Sequence, residues 1–176
     1  MKKTYPLALC AVISSFSAVL MFLTGFIPVG TYATPCIAGV LLCVIVIEVG
    51  YPAAVAAYVA VSILSLLISA DKEAVLYYML FFGFYPVLKG LVEKLKSKVF
   101  QYALKFAVFN VCMIATFFLA LSVLSVPKES FVVFGFYLPW AFLLAGNVIF
   151  IMYDVCLTRL ITTYYVKWRK LLKIRK

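Results

Sequence analysis

The chain has 176 residues, of which 67% are hydrophobic and only 12% charged. Soluble domains run at roughly 45–50% apolar and about 25% charged, so this much apolar surface excludes a water-soluble globule and makes lipid the solvent. The formal charge of +10, from 16 Lys and Arg against 6 Asp and Glu, fits cytoplasmic loops that collect cations better than it fits a nucleic-acid binder.

Six apolar segments are long enough to span a bilayer: 5–26, 34–49, 52–69, 75–92, 106–126 and 134–157. They form one membrane domain over 1–176, an all-α six-helix bundle. The first segment follows Lys2 and Lys3 as a signal peptide would. Its apolar run from Leu7 to Phe26 is too long for a signal core, and no small-residue cleavage site follows, so it reads as a retained helix. Breaks fall at Pro28 and Gly30, at Gly50 and Pro52, at Asp71-Lys72-Glu73, across a lysine-rich stretch, and at Pro127-Lys128-Glu129.

Orientation follows from the cations. With both termini inside, 14 of the 16 Lys and Arg lie on the cytoplasmic side and only Lys72 and Lys128 lie outside. That makes the chain a multi-pass protein of the cell membrane with both termini cytoplasmic. Two segments, 93–105 and 158–176, read as basic amphipathic helices at the cytoplasmic interface. In the first, Leu91, Leu95, Val99, Tyr102 and Phe106 alternate with Lys94, Lys96 and Lys98; such a pattern favours anionic lipid.

Ionisable groups at membrane depth are costly and therefore candidates for function. Glu48, Lys89, Asn110, Asn147 and Asp154, with Lys105, fall towards the cytoplasmic ends of their spans. Asn110 is about 7–8 Å deeper than Lys105, and Asn147 about 10 Å deeper than Asp154, at 1.5 Å per residue. Glu48 and Asp154 are expected to find basic partners, Lys89 and Lys105 first, and the two amides can bond across helices. Such pairs are also ordinary glue between membrane helices. A proton path would need deeper carboxylates.

The other half is aromatic and hydroxylated, with Thr34, Tyr78, Tyr137 and Trp140 as candidate ligand contacts alongside Thr31, Tyr32, Tyr77, Ser62 and Ser65. A pocket of that kind suits a flat or largely apolar ligand; an interfacial aromatic belt is the alternative.

No catalytic motif is present. The chain has no His, which removes the commonest general base and metal ligand. The five cysteines (10, 36, 43, 112 and 156) sit in apolar runs without a CxxC pair and read as small packing residues. No metal, cofactor or nucleic-acid site is indicated. Without a Walker A motif, any ATP-driven step needs another subunit.

Residues 5–11, Tyr-Pro-Leu-Ala-Leu-Cys-Ala, the run Phe81-Phe82-Gly83-Phe84-Tyr85-Pro86-Val87-Leu88-Lys89, and Lys105-Phe106-Ala107-Val108-Phe109-Asn110 carry a resemblance. With the small size and six spans, they resemble the substrate-binding subunits, or S components, of energy-coupling factor transporters. The resemblance covers Tyr5 to about Tyr165. It implies capture of a vitamin or similar scarce nutrient at the outer face, and partnership with a coupling membrane subunit and two ATPase subunits.

In that family small residues on the first helix dock on the coupling subunit. Here Ala8, Ala11, Ser15 and Ala18 form such a stripe, whereas the strict AxxxA spacing occurs in the third span at Ala53/Ala57 and Ala56/Ala60. Close packing within the monomer is the alternative use of small residues. The alternative function is a small six-span scaffold of the cell-wall or cell-shape machinery. An intramembrane lipid-modifying enzyme ranks behind both.

Overall fold

A computed structural model describes residues 4–27, 30–123, 132–133, 136–137 and 139–168, with the backbone alone at 123, 132–133, 136–137, 139 and 167–168. Helix α1 (Thr4–Leu23) closes in a 3-10 turn, Thr24–Phe26. Helix α2 (Gly30–Glu48) and helix α3 (Tyr51–Ile68) follow. The fourth span comprises α4 (Lys72–Tyr77), a π turn (Tyr78–Phe82) and α5 (Tyr85–Val92). Helix α6 (Lys98–Val123) leads to two short paired strands, β1 (Val132–Val133) and β2 (Phe136–Tyr137). Helix α7 (Pro139–Thr163) ends in a π turn, Tyr164–Trp168.

Among the described residues, six helical segments are long and apolar enough to cross a membrane. Outward-facing Val12, Phe16, Leu67, Val111, Leu144 and Val148 are all exposed and apolar. In water such a surface would be untenable; against lipid tails it is neutral. The chain is a multi-pass membrane protein built as an all-α bundle.

The span of α2 and the fourth span are the interior helices, burying more of their residues than the other four. On one side of them, α1 and α3 close a core around Met21, Leu42, Ile45, Val61 and Tyr78. On the other, α6 and α7 close an aromatic core of Phe81, Tyr85, Phe109, Phe150 and Tyr153. Close approach of α2 to the fourth span depends on Gly39, where any Cβ would collide with the Phe82 carbonyl. The α2–α3 turn depends on Gly50, whose φ of 115° is reached readily only without a side chain.

Two boundaries differ from the sequence pattern. The fourth span is interrupted because Pro86 lacks an N–H and its ring would press on the carbonyl four residues earlier. The helix widens into the π turn, and the Met79 carbonyl accepts the Tyr58 hydroxyl at 2.6 Å. The lysine-rich stretch 93–105 is not a separate interfacial helix: residues 93–97 turn, and from Lys98 the chain is already in α6. Periodicity alone could not separate these cases, since an amphipathic first turn and a detached surface helix look alike.

Candidate functional site

The two ends of the bundle differ in charge. At the basic end, α5 ends, α6 begins and α7 ends, and each brings charged side chains to one buried point. Lys89 on α5 is 1% exposed and Lys105 on α6 is 3% exposed. Burial of two ammoniums is tolerable only with paired counter-charges and hydrogen bonds.

Lys89 has both. Its Nζ donates to Asp154 Oδ1 at 2.5 Å, to Thr158 Oγ1 at 2.8 Å, and to Glu93 Oε1 at 2.7 Å. An ammonium has three N–H donors, so its capacity is filled. Lys105 Nζ reaches Glu93 Oε1 at 2.8 Å and Asp154 Oδ2 at 3.1 Å, and the Tyr85 hydroxyl donates to Asp154 Oδ1 at 2.6 Å. Two cations and two carboxylates leave no net charge, so the cluster is a clasp between three helices rather than an anion site.

Asp154 and both lysines therefore stand as the sequence pattern predicts. Glu93 is the member that pattern missed, although its place four residues after Lys89 is an i,i+4 ion-pair spacing. Glu48 lies half-buried at the end of α2. Burial by itself would raise the Glu93 carboxyl, but hydrogen bonds from Lys105 and Lys89, with the charges of both, hold it below its ordinary value.

One to two turns deeper, the Asn110 and Asn147 amides bond reciprocally at 3.0 Å in each direction. Each also donates to the carbonyl four residues earlier, Phe106 and Leu143. Phe109 and Phe150 stack beside them with ring centroids 4.6 Å apart. This joins α6 to α7 over the basic half of their length.

In the opposite half α6 and α7 enclose a cavity of about 220 Å³, lined by Tyr77 from α4, Met113, Ile114 and Phe117 from α6, and Trp140, Phe142 and Gly146 from α7, among others. Trp140, 71% exposed, stands at its lip. The Tyr77 hydroxyl donates to Glu73 Oε1 at 3.3 Å, and the Tyr32 hydroxyl reaches the same oxygen at 3.5 Å.

The remaining candidate ligand contacts separate. Thr34 is buried, sharing a 2.7 Å hydrogen bond with Thr24 and donating to the Gly30 carbonyl. Tyr78 is wholly buried against Tyr58, and its hydroxyl meets no hydrogen-bond partner among the described residues. The side chain of Tyr137 lies outside the described residues, as does Lys128. Sequence reading did not pick out Phe117, Ile114 or Gly146. Gly146, which lines the cavity and faces the ring of Phe109, was the available signal on α7.

Along α1, Ala8, Ala11 and Ser15 are exposed, whereas Ala18 is buried at 7%. At 100° per residue the four span an arc of about 80°, and Ala18 is at its edge. The outward stripe is thus three residues long. In α3, Ala57 faces the core while Ala56 and Ala60 face out.

Comparison with models of known protein families, with curated proteins and with solved structures found no match.

Proposed function

We propose that this chain is the ligand-binding membrane subunit of an energy-coupling-factor-type importer of a vitamin or similar micronutrient. It would work with a coupling membrane subunit and two ATPase subunits. One observation carries the reading: the bundle is open in one half and sealed in the other. The aromatic cavity between α4, α6 and α7 lies away from the basic end, and the basic end is closed by the Lys89–Asp154–Lys105–Glu93 clasp, in which Lys89, Asp154 and Lys105 are buried and Glu93 is the solvent-facing member.

The cation asymmetry puts the basic end in the cytoplasm, so the cavity faces the outer leaflet of the cell membrane. The exposed Ala8, Ala11 and Ser15 leave room for a partner helix to approach α1 closely. Lys94, Lys96 and Lys98 favour anionic lipid beside the clasp.

The test is affinity purification of the full chain from its native membrane, with mass spectrometry of what accompanies it. Two ATPases and a larger membrane subunit are the expected companions. Cell-wall synthesis enzymes without an ATPase would overturn the importer and establish a scaffold in its place.

A further inference from the structure

Resting on the cavity just described as the ligand site, we infer that its ligand is an organic cation with a flat apolar body, held by aromatic walls and the Glu73 carboxylate. Two independent observations lead there.

The first is the lining. Tyr77, Phe117, Phe118, Trp140 and Phe142 are half of the residues around the space, and the rest of the wall is aliphatic apart from Gly146. Aromatic rings attract a cation through their quadrupole, and the attraction grows when water is excluded. The volume, about 220 Å³, is below the roughly 300–1,000 Å³ of drug-sized pockets, which limits the occupant to about two fused rings.

The second is a charge one hydrogen bond away from the lining. Tyr77 belongs to both: its ring lines the cavity and its hydroxyl donates to Glu73 at 3.3 Å. The hydrogen bonds to the Glu73 carboxylate come from neutral tyrosines, which orient it without cancelling its charge. The adjacent Lys72 ammonium is turned to the Leu66 carbonyl at 2.7 Å. Asp71 is occupied in capping α4 through Ala74 N–H and in accepting the Thr31 hydroxyl. In a chain of net charge +10, the turn into α4 carries Asp71 and Glu73 against Lys72 alone. A carboxylate that accepts from the hydroxyl of a cavity-lining tyrosine complements a cation in the cavity and repels an anion.

The experiment uses the full chain in neutral lipid nanodiscs and three ring-matched probes: N-methylquinolinium, quinoline at pH 8 where it is neutral, and 1-naphthalenesulfonate. Binding is read by isothermal titration and by quenching of Trp140 in a Trp168→Phe background. N-methylquinolinium is expected to saturate one site and to bind at least about tenfold more tightly than the other two. Glu73→Gln should weaken it by at least about tenfold while leaving quinoline unchanged, and Trp140→Ala should weaken both.

Equal binding of cation and neutral ring, or a cation affinity indifferent to Glu73→Gln, overturns the charge assignment. If quinoline binding still depends on Trp140, the cavity remains the ligand site and only the cation is lost. Failure of all three probes to bind overturns the inference, whereas the importer reading stands or falls separately, on whether ATPases copurify.

Discussion

Lys89 and Asp154, 65 residues apart in the chain, meet at 2.5 Å where α5 crosses α7. Both are buried, so removing either leaves the four-charge cluster with one uncompensated charge in a low-dielectric setting. Lys89→Met or Asp154→Leu alone is expected to destabilise the bundle by about 3–5 kcal/mol. The double variant should recover much of that loss. The check is the thermal unfolding midpoint in detergent, and a Lys89→Met midpoint equal to wild type would show that the clasp contributes nothing.

Glu93 gives the clasp a pH dependence whose sign follows from its depressed carboxyl. A carboxylate with a folded-state value below its ordinary 4.5 stabilises the fold at pH above that value. The contribution is lost as pH falls from 4.5 through the depressed folded value. The unfolding midpoint should therefore drop on acidification below about pH 4.5, and drop less in Glu93→Gln. An identical pH profile for the two proteins would contradict the assignment.

The reciprocal amides of Asn110 and Asn147 should be energetically coupled. Interhelical hydrogen bonds in membrane proteins average about 0.6 kcal/mol each, so two parallel bonds give a coupling near 1 kcal/mol. A double-mutant cycle with Asn110→Leu and Asn147→Leu measures it. Strict additivity of the two substitutions would mean that the pair forms no net interaction.

Two glycines on neighbouring helices should respond oppositely to one methyl group. At Gly39 the added carbon meets the Phe82 backbone, which cannot move aside cheaply, so Gly39→Ala should cost about 1–3 kcal/mol. At Gly146 it meets Phe109 Cζ at 3.4 Å, an ordinary contact, so Gly146→Ala should be neutral or slightly stabilising. Comparing midpoints of the two single variants tests both approaches at once.

Topology is open to direct chemistry. In a cysteine-free background, Lys72→Cys should react with an impermeant maleimide in intact cells, and Lys96→Cys only after permeabilisation. The reverse pattern would invert the bundle and move the cavity to the cytoplasmic leaflet.

The spans were legible in the sequence because bilayer thickness imposes a length that an apolar run either meets or does not. The partners of Asp154 were legible for a similar reason: a carboxylate at that depth needs a cation, and few were within reach. Helical register hid more. Ala18 has the same spacing as its neighbours in the stripe, yet a small rotation of α1 turns it inward. Tyr77 and Tyr78 are adjacent in sequence and part company, one to the cavity and one to the core, because successive residues on a helix point about 100° apart. The cavity itself is lined jointly by α4, α6 and α7, a tertiary arrangement that no local pattern records.

The clasp also bears on how the protein is made. Lys89 emerges from the ribosome long before Asp154, and a lysine within a span opposes insertion by about 2.5–3.5 kcal/mol at the bilayer centre, less near the interface. Until α7 arrives, Lys89 and Lys105 have only Glu93 between them. A chain stopped at residue 138 would carry Lys89 and Lys105 against the single carboxylate of Glu93. Such a product should turn over rapidly in a pulse-chase, whereas the same truncation with Lys89→Met should persist longer. That outcome would make α7, through Asp154, the segment that completes the charge compensation of the fourth span.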